Sequence, residues 1–366
     1  MAKLLVTGGA GFVGVNFVRY WRKYHPADAV IVLDALTYAG NAASLVDVKD
    51  VSLVHGDIRD FGLLTKLLLE RQIDVVVHFA AESHVDRSIH GPDEFVDTNI
   101  IGTHVLLKAA KAVWLDTGSG TPHRFHHVST DEVFGSLTPQ ETGFSEITPY
   151  RPNSPYSASK AASDHLVRAY HKTFGLQVTT SNCSNNYGPY QFPEKLIPLF
   201  TINALLGRPL PIYGDGGNVR DWLHVGDHCC GIERILEAGK PGETYNIGGG
   251  EELPNLAVID HICRCVDDAF ITKPELRRRF PNAPAANGKS SAILKKHVSD
   301  RKGHDRRYAI DETKIRCELG YTPKHSFGSG LEDTIQWYIN NEEWWRSVMD
   351  GSYRDWMKLN YVSEFA

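Results

Sequence analysis

Short apolar runs alternate with amphipathic stretches through the first half of the chain. Six of these runs predict buried strands, with approximate bounds Lys3–Thr7, Val30–Asp34, Val51–His55, Asp74–Phe79, Phe125–Ser129 and Gln177–Asn182. Between them, the helical pattern is clearest near Phe61–Arg71 and Pro92–Trp114. Repeated strand–helix units of this length predict an α/β fold with a doubly wound parallel sheet.

The pattern changes after Asn185, where glycine, proline and aromatic residues become frequent. Thr244–Ile247 again has the pattern of a buried strand, so we expect the chain to return to the main sheet near 225–248. The main domain is predicted to hold residues 1–185. The segments 186–224 and 249–366 are predicted to form a smaller, mixed C-terminal domain that binds the substrate.

A helix is predicted near the end of the chain. Ser329 and Glu332 have the spacing of a capping box, which places the start of this helix at Ser329. The residues that would then share one apolar face are Leu331, Ile335, Tyr338 and Ile339.

A glycine-rich turn follows the first predicted strand. The run Gly8-Gly9-Ala10-Gly11-Phe12-Val13-Gly14 contains the GxGxxG and GxxGxxG spacings and opens the first predicted helix. Glycines in this position allow a tight turn and let a pyrophosphate approach the helix N-terminus. Asp34 ends the second predicted strand 20 residues past Gly14, where a carboxylate hydrogen-bonds the adenosine ribose and repels a 2′-phosphate. The pattern therefore predicts a Rossmann-type domain that binds NAD rather than NADP.

Tyr156 and Lys160 lie four residues apart in a segment predicted to be helical, so their side chains should share a face. A free tyrosine, with a pKa of about 10, is a poor base at neutral pH. A nearby ammonium and a cationic nicotinamide ring would stabilise the phenolate, and a decrease of about three pKa units corresponds to roughly 4 kcal/mol. We therefore expect Tyr156 to be a base with a lowered pKa.

Thr130, Asp131 and Glu132 come directly after the fifth predicted strand. Open parallel sheets bind ligands at the carboxyl ends of their strands, so these residues should face the same site as Tyr156. An isolated acidic pair at a strand end is otherwise an ordinary polar loop. Two carboxyls can act as acid and base when their pKa values differ, which predicts chemistry beyond hydride transfer.

Composition and charge argue against several classes of protein. The chain has 366 residues, 42% of them hydrophobic, and a formal net charge of −5, which argues against general nucleic-acid binding. No apolar run has the length of a membrane helix and no signal peptide precedes the first strand, so we expect a cytoplasmic protein without membrane contact. The six cysteines and 17 histidines show no metal-ligand spacing, and no metal is predicted.

The chain resembles the extended short-chain dehydrogenase/reductase family and, within its sugar-nucleotide branch, the dTDP-glucose 4,6-dehydratases. The resemblance rests on the glycine turn, on Tyr156 and Lys160, and on further stretches that span most of the chain. These stretches are Leu36-Thr37-Tyr38-Ala39-Gly40-Asn41, Ala80-Ala81-Glu82-Ser83-His84-Val85-Asp86-Arg87-Ser88, Thr130-Asp131-Glu132-Val133, Ser184-Asn185-Asn186-Tyr187-Gly188-Pro189-Tyr190, Pro193-Glu194-Lys195-Leu196-Ile197-Pro198, Arg220-Asp221-Trp222 and Gly303-His304-Asp305-Arg306-Arg307-Tyr308.

The resemblance implies a hydro-lyase that converts dTDP-D-glucose to dTDP-4-dehydro-6-deoxy-D-glucose with tightly bound NAD, regenerated in each turnover. C4 would be oxidised first: Tyr156 accepts the hydroxyl proton, NAD⁺ accepts the hydride, and Thr130 hydrogen-bonds the hydroxyl. The C5 proton then becomes acidic, so that Glu132 removes it while Asp131 protonates the departing C6 hydroxyl. Return of the hydride to C6 would complete the cycle.

The resemblance also implies binding residues and a homodimer. The expected cofactor residues are Gly8, Gly11, Phe12, Val13, Gly14, Asp34, Ala35, Leu36, Thr37, Asp57, Ile58, Phe79, Ala80, Ala81, Glu82, Thr98, Tyr156, Lys160 and Asn186. The expected substrate residues are Ser83, Thr130, Asn185, Lys195, Leu196, Pro211, Ile212, Tyr213, Arg220, Asn255, Asp300, Arg301, Lys302, Gly303 and His304. Arg220 would clamp the diphosphate, unless it forms a structural ion pair with Asp221 or Asp215. The homodimer would form through the helices near Pro92–Trp114 and Tyr156–Phe174.

Two features depart from the family pattern, and two other functions remain open. Lys302 stands where the family usually has proline, and the segment from about Lys273 to Lys296 is longer than usual. A sugar-nucleotide 4-epimerase or decarboxylase on the same scaffold would need another role for Asp131 and Glu132. A non-catalytic, NAD-loaded binding protein is the alternative from a different class, and the intact catalytic group argues against it.

Overall fold

The computed structural model describes residues 1–118, 120, 122–300 and 303–349. The strands are β1 (Lys3–Thr7), β2 (Ala29–Asp34), β3 (Val51–His55), β4 (Val75–His78), β5 (Arg124–Thr130), β6 (Val178–Cys183), β7 (Asn185–Tyr187), β8 (Leu210–Tyr213), β9 (Val219–His224), β10 (Thr244–Ile247), β11 (Glu252–Pro254) and β12 (Lys295–Val298). The helices are α1 (Phe12–Tyr24), α2 (Phe61–Glu70), α3 (Val85–His90), α4 (Asp93–Phe95), α5 (Thr103–Trp114), α6 (Pro155–Phe174), α7 (Leu196–Leu206), α8 (Val225–Ala238), α9 (Asn255–Thr272), α10 (Leu276–Arg279), α11 (Thr313–Leu319), α12 (Phe327–Asn340) and α13 (Glu342–Val348). None of the helices in these ranges is both long and apolar enough to cross a membrane.

Seven strands form one parallel sheet in the order β10–β6–β5–β4–β1–β2–β3. The chain runs outward from β1 to β3 and then continues from β4 on the other side of β1, which is the doubly wound arrangement. The six predicted strands are confirmed within one residue at each end. The predicted return of the chain to this sheet is confirmed by β10.

Helices cover both faces of the sheet because successive side chains of a strand point in opposite directions. In β1, Leu4 and Val6 pack into a core with α1 and α8. Leu5 packs into a second core with α2, α5 and α6. The central strands are therefore apolar on both faces, as a buried parallel sheet requires.

A third core lies outside the main sheet and is formed mainly by α7, α9 and α12. Two small sheets, β11–β9–β7 and β12–β8, contain both antiparallel and parallel pairs, which confirms the mixed character expected of this region. However, Ile315 of α11 and the following Tyr321 are buried in the core between the main sheet and α1. The predicted domain boundaries stay a prediction.

The segment predicted as one helix over Pro92–Trp114 is not uniformly α-helical. A π-helical part, Val96–Gly102, lies between α4 and α5. Its buried Asn99 accepts a hydrogen bond from the Glu82 amide at 2.8 Å and donates to the Glu82 carbonyl at 3.0 Å and to the Ser159 hydroxyl at 2.8 Å. The π-helical part therefore connects the segment after β4 to α6.

The start predicted for the last long helix is wrong. α12 begins at Phe327 because the Ser326 hydroxyl accepts a hydrogen bond from the Ser329 amide at 3.3 Å. Ser329 consequently lies inside the first turn and does not cap the helix. The predicted apolar face is confirmed, since its members Leu331, Ile335, Tyr338 and Ile339 are all buried.

Candidate active site

A cavity of about 350 Å³ opens at the carboxyl edge of the main sheet, where several strand ends and the start of α6 meet. The five residues predicted to be catalytic all line it, namely Thr130, Asp131, Glu132, Tyr156 and Lys160. It is also lined by every predicted cofactor residue except Leu36. Ser83, Asn185 and Lys195 are the further lining residues from the predicted substrate set.

The glycine turn after β1 brings the backbone close to this cavity. Gly8 has a φ of +69°, and a Cβ at this position would lie 2.5 Å from the Ala80 amide nitrogen. A Cβ on Gly14 would lie 2.2 Å from the Gly8 carbonyl oxygen. The N-cap residue of α1 is Gly11, which has no side chain that could cap the first amides of the helix. The turn is therefore suited to hold a dinucleotide pyrophosphate at a helix N-terminus.

Asp34 is buried at the end of β2 and positions the loop that follows. Its carboxylate oxygens accept hydrogen bonds from the Ala10 amide at 2.9 Å and the Leu36 amide at 2.8 Å. Burial raises the pKa of Asp34, and these two hydrogen bonds oppose the change. Each carboxylate oxygen can accept a further hydrogen bond, so Asp34 remains suited to a ribose diol. The Leu36 side chain does not line the cavity, but its amide donates a hydrogen bond to the Asp34 carboxylate.

The start of α6 places Tyr156 and Lys160 on one face. Ser154 caps the helix and Pro155 occupies its first turn, so the register of the helix is fixed at this end. Lys160 Nζ donates to the Val128 carbonyl oxygen of β5 at 2.8 Å. Burial lowers the pKa of Lys160, while the charge of Asp164 opposes this change.

The pKa of Tyr156 is raised well above its ordinary value, whereas the sequence led us to expect a lowered one. Burial is the main cause, and the negative charge of Glu132 adds to it, although a hydrogen bond with Thr130 opposes the change. The expectation relied on the ammonium of Lys160 together with a bound cationic nicotinamide ring, and it left out the burial of the phenol and its carboxylate neighbour. The side chains of the cavity therefore favour the neutral phenol.

Asp131 and Glu132 occupy different environments although they are adjacent. Asp131 is only 1% exposed, and burial together with the charge of Glu132 raises its pKa well above the usual value. Thr130 Oγ1 donates to Asp131 Oδ1 at 3.4 Å, whereas Oδ2 is buried with no hydrogen-bond partner in the described part of the chain. Glu132 is more exposed. This asymmetry favours a protonated Asp131, a point that the sequence left open.

Asp164 forms a buried polar centre that sequence reasoning missed. It lies one turn after Lys160 on α6 and accepts hydrogen bonds from Ser129 at 2.8 Å and Tyr150 at 3.0 Å. His127 Nε2 lies 3.0 Å from the same carboxylate, and burial holds the pKa of His127 well below its ordinary value. Burial raises the pKa of Asp164 to about 6, although Lys160 opposes the increase. The one sequence signal was the spacing of four residues from Lys160.

Other lining residues were also missed from the sequence. They are Leu33, Ala39, Gly40, Gly56, Arg59, Glu94, Val128, Ser129, Cys183, Ser184, Gln191, Phe192, Glu194 and His228. Most lie within three residues of a predicted residue, so the segments that contain them gave a signal. His228 comes from α8, and its Nδ1 lies 2.9 Å from the side-chain oxygen of Asn186, a contact with no sequence signal.

The rest of the predicted substrate residues do not line this cavity. The described ones are Leu196, Pro211, Ile212, Tyr213, Arg220, Asn255, Asp300, Gly303 and His304. Arg301 and Lys302 lie outside the described residues. Three of the set lie together, because His304 Nδ1 is 2.6 Å from Asp300 Oδ1 and its ring is 6.2 Å from the Tyr213 ring.

Arg220 is buried and contacts the segment that follows His304. Its guanidinium stacks 4.2 Å from the Tyr308 ring centre and donates to the Asp305 carbonyl at 2.9 Å. Its positive charge acts on Asp131, whose raised pKa it partly offsets. Asp215 pairs instead with Arg306, at 2.8 Å.

Two groups of potential metal ligands occur among the described residues, and both lie outside the cavity. They are His224, Asp227 and His325, and His25, Glu233 and Glu237. Asp227 already accepts hydrogen bonds from the Lys324 and His325 amides, and Glu233 accepts one from Tyr20. The expectation that the protein uses no metal stays a prediction.

Comparison with known proteins identifies the family. A family model described as GDP-mannose 4,6 dehydratase matches residues 5–334. A dTDP-glucose 4,6-dehydratase of Xanthomonas campestris pv. campestris (strain B100) is 53% identical over 360 residues, which cover 97% of this chain and 98% of that protein. The chain belongs to the dTDP-glucose 4,6-dehydratase family.

Solved structures agree with this assignment. DesIV, a dTDP-glucose 4,6-dehydratase from Streptomyces venezuelae with NAD and TYD bound, has a TM-score of 0.83 and 49% identity, covering 94% of this chain and 99% of that one. The UDP-glucose 4-epimerase of Thermus thermophilus, in complex with NAD, has a TM-score of 0.79 and 27% identity, covering 93% and 99%. The dTDP-glucose 4,6-dehydratase family therefore shares its fold with epimerases, and the reaction must be argued from the site.

Proposed function

We propose that this protein converts dTDP-D-glucose to dTDP-4-dehydro-6-deoxy-D-glucose, with NAD as a cofactor that each turnover regenerates. One observation carries the proposal: the buried Asp131, with its raised pKa, lies beside Thr130 in the same cavity as Tyr156. Oxidation at C4 needs a base, whereas expulsion of the C6 hydroxyl also needs an acid. The names of the relatives supply the substrate.

The cavity suits NAD at its glycine-lined end. A pyrophosphate can approach the backbone because Gly8 and Gly14 carry no side chain, and Asp34 is placed to accept the ribose hydroxyls. The Asp34 carboxylate would repel the 2′-phosphate of NADP. Relatives solved with NAD bound support this assignment. When bound, NAD⁺ supplies a hydride acceptor and a positively charged ring.

In the first half of the reaction, Tyr156 accepts the proton of the C4 hydroxyl. Thr130 hydrogen-bonds the same hydroxyl and orients it, and Lys160, anchored on the Val128 carbonyl, contributes positive charge beside the phenol. C4 loses this proton and a hydride and becomes a ketone. Because burial and Glu132 raise the pKa of Tyr156, the phenolate depends on the positive charge of the bound cofactor.

In the second half, the C4 ketone makes the C5 proton acidic, and Glu132 accepts it. The C6–O bond breaks as Asp131 gives its proton to the C6 hydroxyl, which leaves as water. With NAD bound, the hydride taken from C4 would return to C6 and Glu132 would return its proton to C5. The proton that Tyr156 accepted would restore the acid form of Asp131. The sugar has then lost one water, and no external oxidant is consumed.

We propose that the sugar nucleotide extends from this cavity towards the small sheet of β7, β9 and β11. Ser83, Asn185 and Lys195 line the cavity on this side. Arg220 of β9 is the proposed diphosphate clamp, because a guanidinium matches phosphate oxygens in pairs. The positive charge of Arg220 near Asp131 supports this direction.

We also propose a homodimer that forms through α5 and α6. Ile101, next to the start of α5, and Phe174, at the end of α6, are each 46% exposed. Exposed apolar side chains on these helices favour contact with another chain. The cytoplasmic location expected from the sequence stays a prediction.

A sugar-nucleotide 4-epimerase is the second candidate, because a solved epimerase shares the fold. Such an enzyme also oxidises C4 but expels no hydroxyl. It would have no use for a buried, protonated Asp131 beside Thr130. The environment of Asp131 therefore favours the dehydratase.

The test is to incubate the purified protein with dTDP-glucose, without added cofactor, and to record the product mass. The proposal predicts a product lighter by one water. An unchanged mass together with an inverted C4 centre would establish the epimerase instead.

A further inference from the structure

Three residues outside the proposed catalytic group connect opposite sides of the cavity rim. Tyr38 lies in the loop after β2, Arg87 in α3, and Glu194 shortly before α7. The Tyr38 hydroxyl donates to Glu194 Oε1 at 3.2 Å, and Arg87 Nε donates to Glu194 Oε2 at 3.2 Å. The guanidinium of Arg87 also stacks 3.8 Å from the centre of the Tyr38 ring. We call these three residues the rim clasp.

The carboxylate at the centre of the rim clasp is buried, and the partly exposed Arg87 supplies the opposite charge. The Glu194 side chain is only 1% exposed. Burial raises the pKa of Glu194, and the charges of Lys195 and Arg87 oppose the increase. A buried carboxylate depends on its partners, since breaking such a pair leaves an uncompensated charge. The contacts of the clasp therefore have a substantial effect on where its three segments lie.

One side of the rim clasp is the loop that follows Asp34. Thr37, Ala39 and Gly40 of this loop line the cavity at the end proposed to hold the adenosine ribose. Tyr38 itself does not line the cavity. It acts on the cavity through its neighbours, because its side chain fixes the loop to Glu194.

The other side is the segment that contains Phe192, Glu194 and Lys195, all of which line the cavity. The Tyr38 ring packs edge-on against the Phe192 ring, with 5.6 Å between centres. Lys195 Nζ donates to the Ser83 carbonyl oxygen at 3.0 Å, so this segment is also joined to the chain after β4. The loop after Asp34 can leave the cavity only if the contacts of Tyr38 break.

On the basis of the proposed function, we propose that the rim clasp retains the bound dinucleotide between and during turnovers. The reaction begins and ends with the same form of the cofactor, so its release serves no step. Release of the cofactor after C4 oxidation would also leave the sugar as an unfinished ketone, because the hydride would leave with the cofactor. Tyr38 and Arg87 are thus positioning residues that act through Glu194 and the loop.

The test measures cofactor release directly, without reference to turnover. Tyr38→Phe removes the hydroxyl but keeps the ring between Arg87 and Phe192, and Glu194→Gln removes the charge. The matched control is Tyr20→Phe, because the Tyr20 hydroxyl donates to the Glu233 carboxylate at 2.7 Å between α1 and α8, away from the cavity. Each protein is loaded with radiolabelled NAD⁺ and chased with excess unlabelled NAD⁺.

We expect release from Tyr38→Phe to be about tenfold faster than from the unaltered protein, which corresponds to about 1.4 kcal/mol, or one net hydrogen bond. Glu194→Gln should release at least as fast, and Tyr20→Phe should match the unaltered protein. Far-UV circular dichroism at the assay temperature identifies any unfolded variant, and the two clasp variants test the same contact independently.

Two results would overturn the inference, and they have different meanings. If labelled NAD⁺ binds and leaves the clasp variants at the same rate as the unaltered protein, the rim clasp does not retain the cofactor, while the proposed function stands. If the unaltered protein neither contains NAD⁺ after purification nor binds labelled NAD⁺, the proposed function fails and the inference fails with it.

Discussion

At the scale of single residues, the difference in burial between Asp131 and Glu132 supports their different proposed roles, as acid and base. Two adjacent carboxyls in equal surroundings would compete for one proton and titrate as a pair. Here Asp131 is almost fully buried and Glu132 is not, so the proton is held at Asp131. The proposed acid for elimination would therefore be in place before the C4 ketone forms.

Replacing Asp131 with asparagine tests this division of labour. Asp131→Asn keeps the size of the side chain but removes the acidic proton, so C4 should still be oxidised while elimination slows by about 10²- to 10⁴-fold. Reduced cofactor should accumulate on the protein, measured by its near-ultraviolet absorbance after one addition of dTDP-glucose. Elimination at the unaltered rate would show that another group is the acid.

The control for this variant is Asp215→Asn. Asp215 is an exposed carboxylate that pairs with Arg306 and does not line the cavity. It should turn over like the unaltered protein and accumulate no reduced cofactor.

At the scale of elements, α6 presents three functional positions on one face. Tyr156, Lys160 and Asp164 follow each other at intervals of four residues, so the helix aligns the proposed base, the ammonium of Lys160 and the carboxyl of Asp164 on one face. The partners of Asp164 come from β5 and from the segment before α6, as the bonds from Ser129 and Tyr150 show. The Asp164 end of this helix face is therefore attached to the sheet.

The raised pKa of Asp164 predicts a specific dependence of stability on pH. Its pKa is about 6 when folded and 3.8 in the ordinary state, so the folded protein holds this proton more tightly. The associated stability is fully present below pH 3.8 and is lost as pH rises through about 6, a change of about 3 kcal/mol.

The measurement is urea unfolding of the unaltered protein and of Asp164→Asn across this pH range. Asparagine does not titrate, so the unfolding free energy of the variant should increase by about 3 kcal/mol relative to the unaltered protein as pH rises. Curves that stay parallel across the range would show that Asp164 does not titrate there.

At the scale of the whole molecule, the apolar pattern was sufficient to predict the main sheet. Its central strands are buried on both faces, so they stand out as apolar runs, and Asp34 and the glycine turn mark the strand ends that are proposed to bind the cofactor. The N-cap of α12 was placed at the wrong residue because Ser326 and Ser329 are both suitable N-cap residues. The three-dimensional geometry decides between them, and Ser326 is the cap.

Contacts between distant elements could not be predicted in the same way. His228 of α8 meets Asn186, and Asp164 meets His127, only because the sheet brings these elements together. The burial of Tyr156, which raises its pKa, could not be predicted for a related reason: burial is a property of the folded chain, whereas spacing along a helix is local. The locations of the five proposed catalytic residues were therefore predictable, but not their electrostatic environment.

The proposed homodimer is tested by changing one exposed apolar residue. Ile101→Glu places a charge on the surface near α5 and α6 and should convert the dimer to a monomer in multi-angle light scattering. Ile271→Glu is the control, because Ile271 is 72% exposed at the end of α9 and lies outside this surface. A dimer that survives Ile101→Glu, or an unaltered protein that is already monomeric, would contradict the proposed interface.

The central claim is that one site oxidises C4, expels the C6 hydroxyl and returns the same hydride to C6. The most direct test uses dTDP-glucose with deuterium at C4, followed by mass spectrometry and deuterium NMR of the product. We predict a product that has lost one water and carries the deuterium in its C6 methyl group. A product of unchanged mass with deuterium still at C4, or a dehydrated product without deuterium, would contradict the claim.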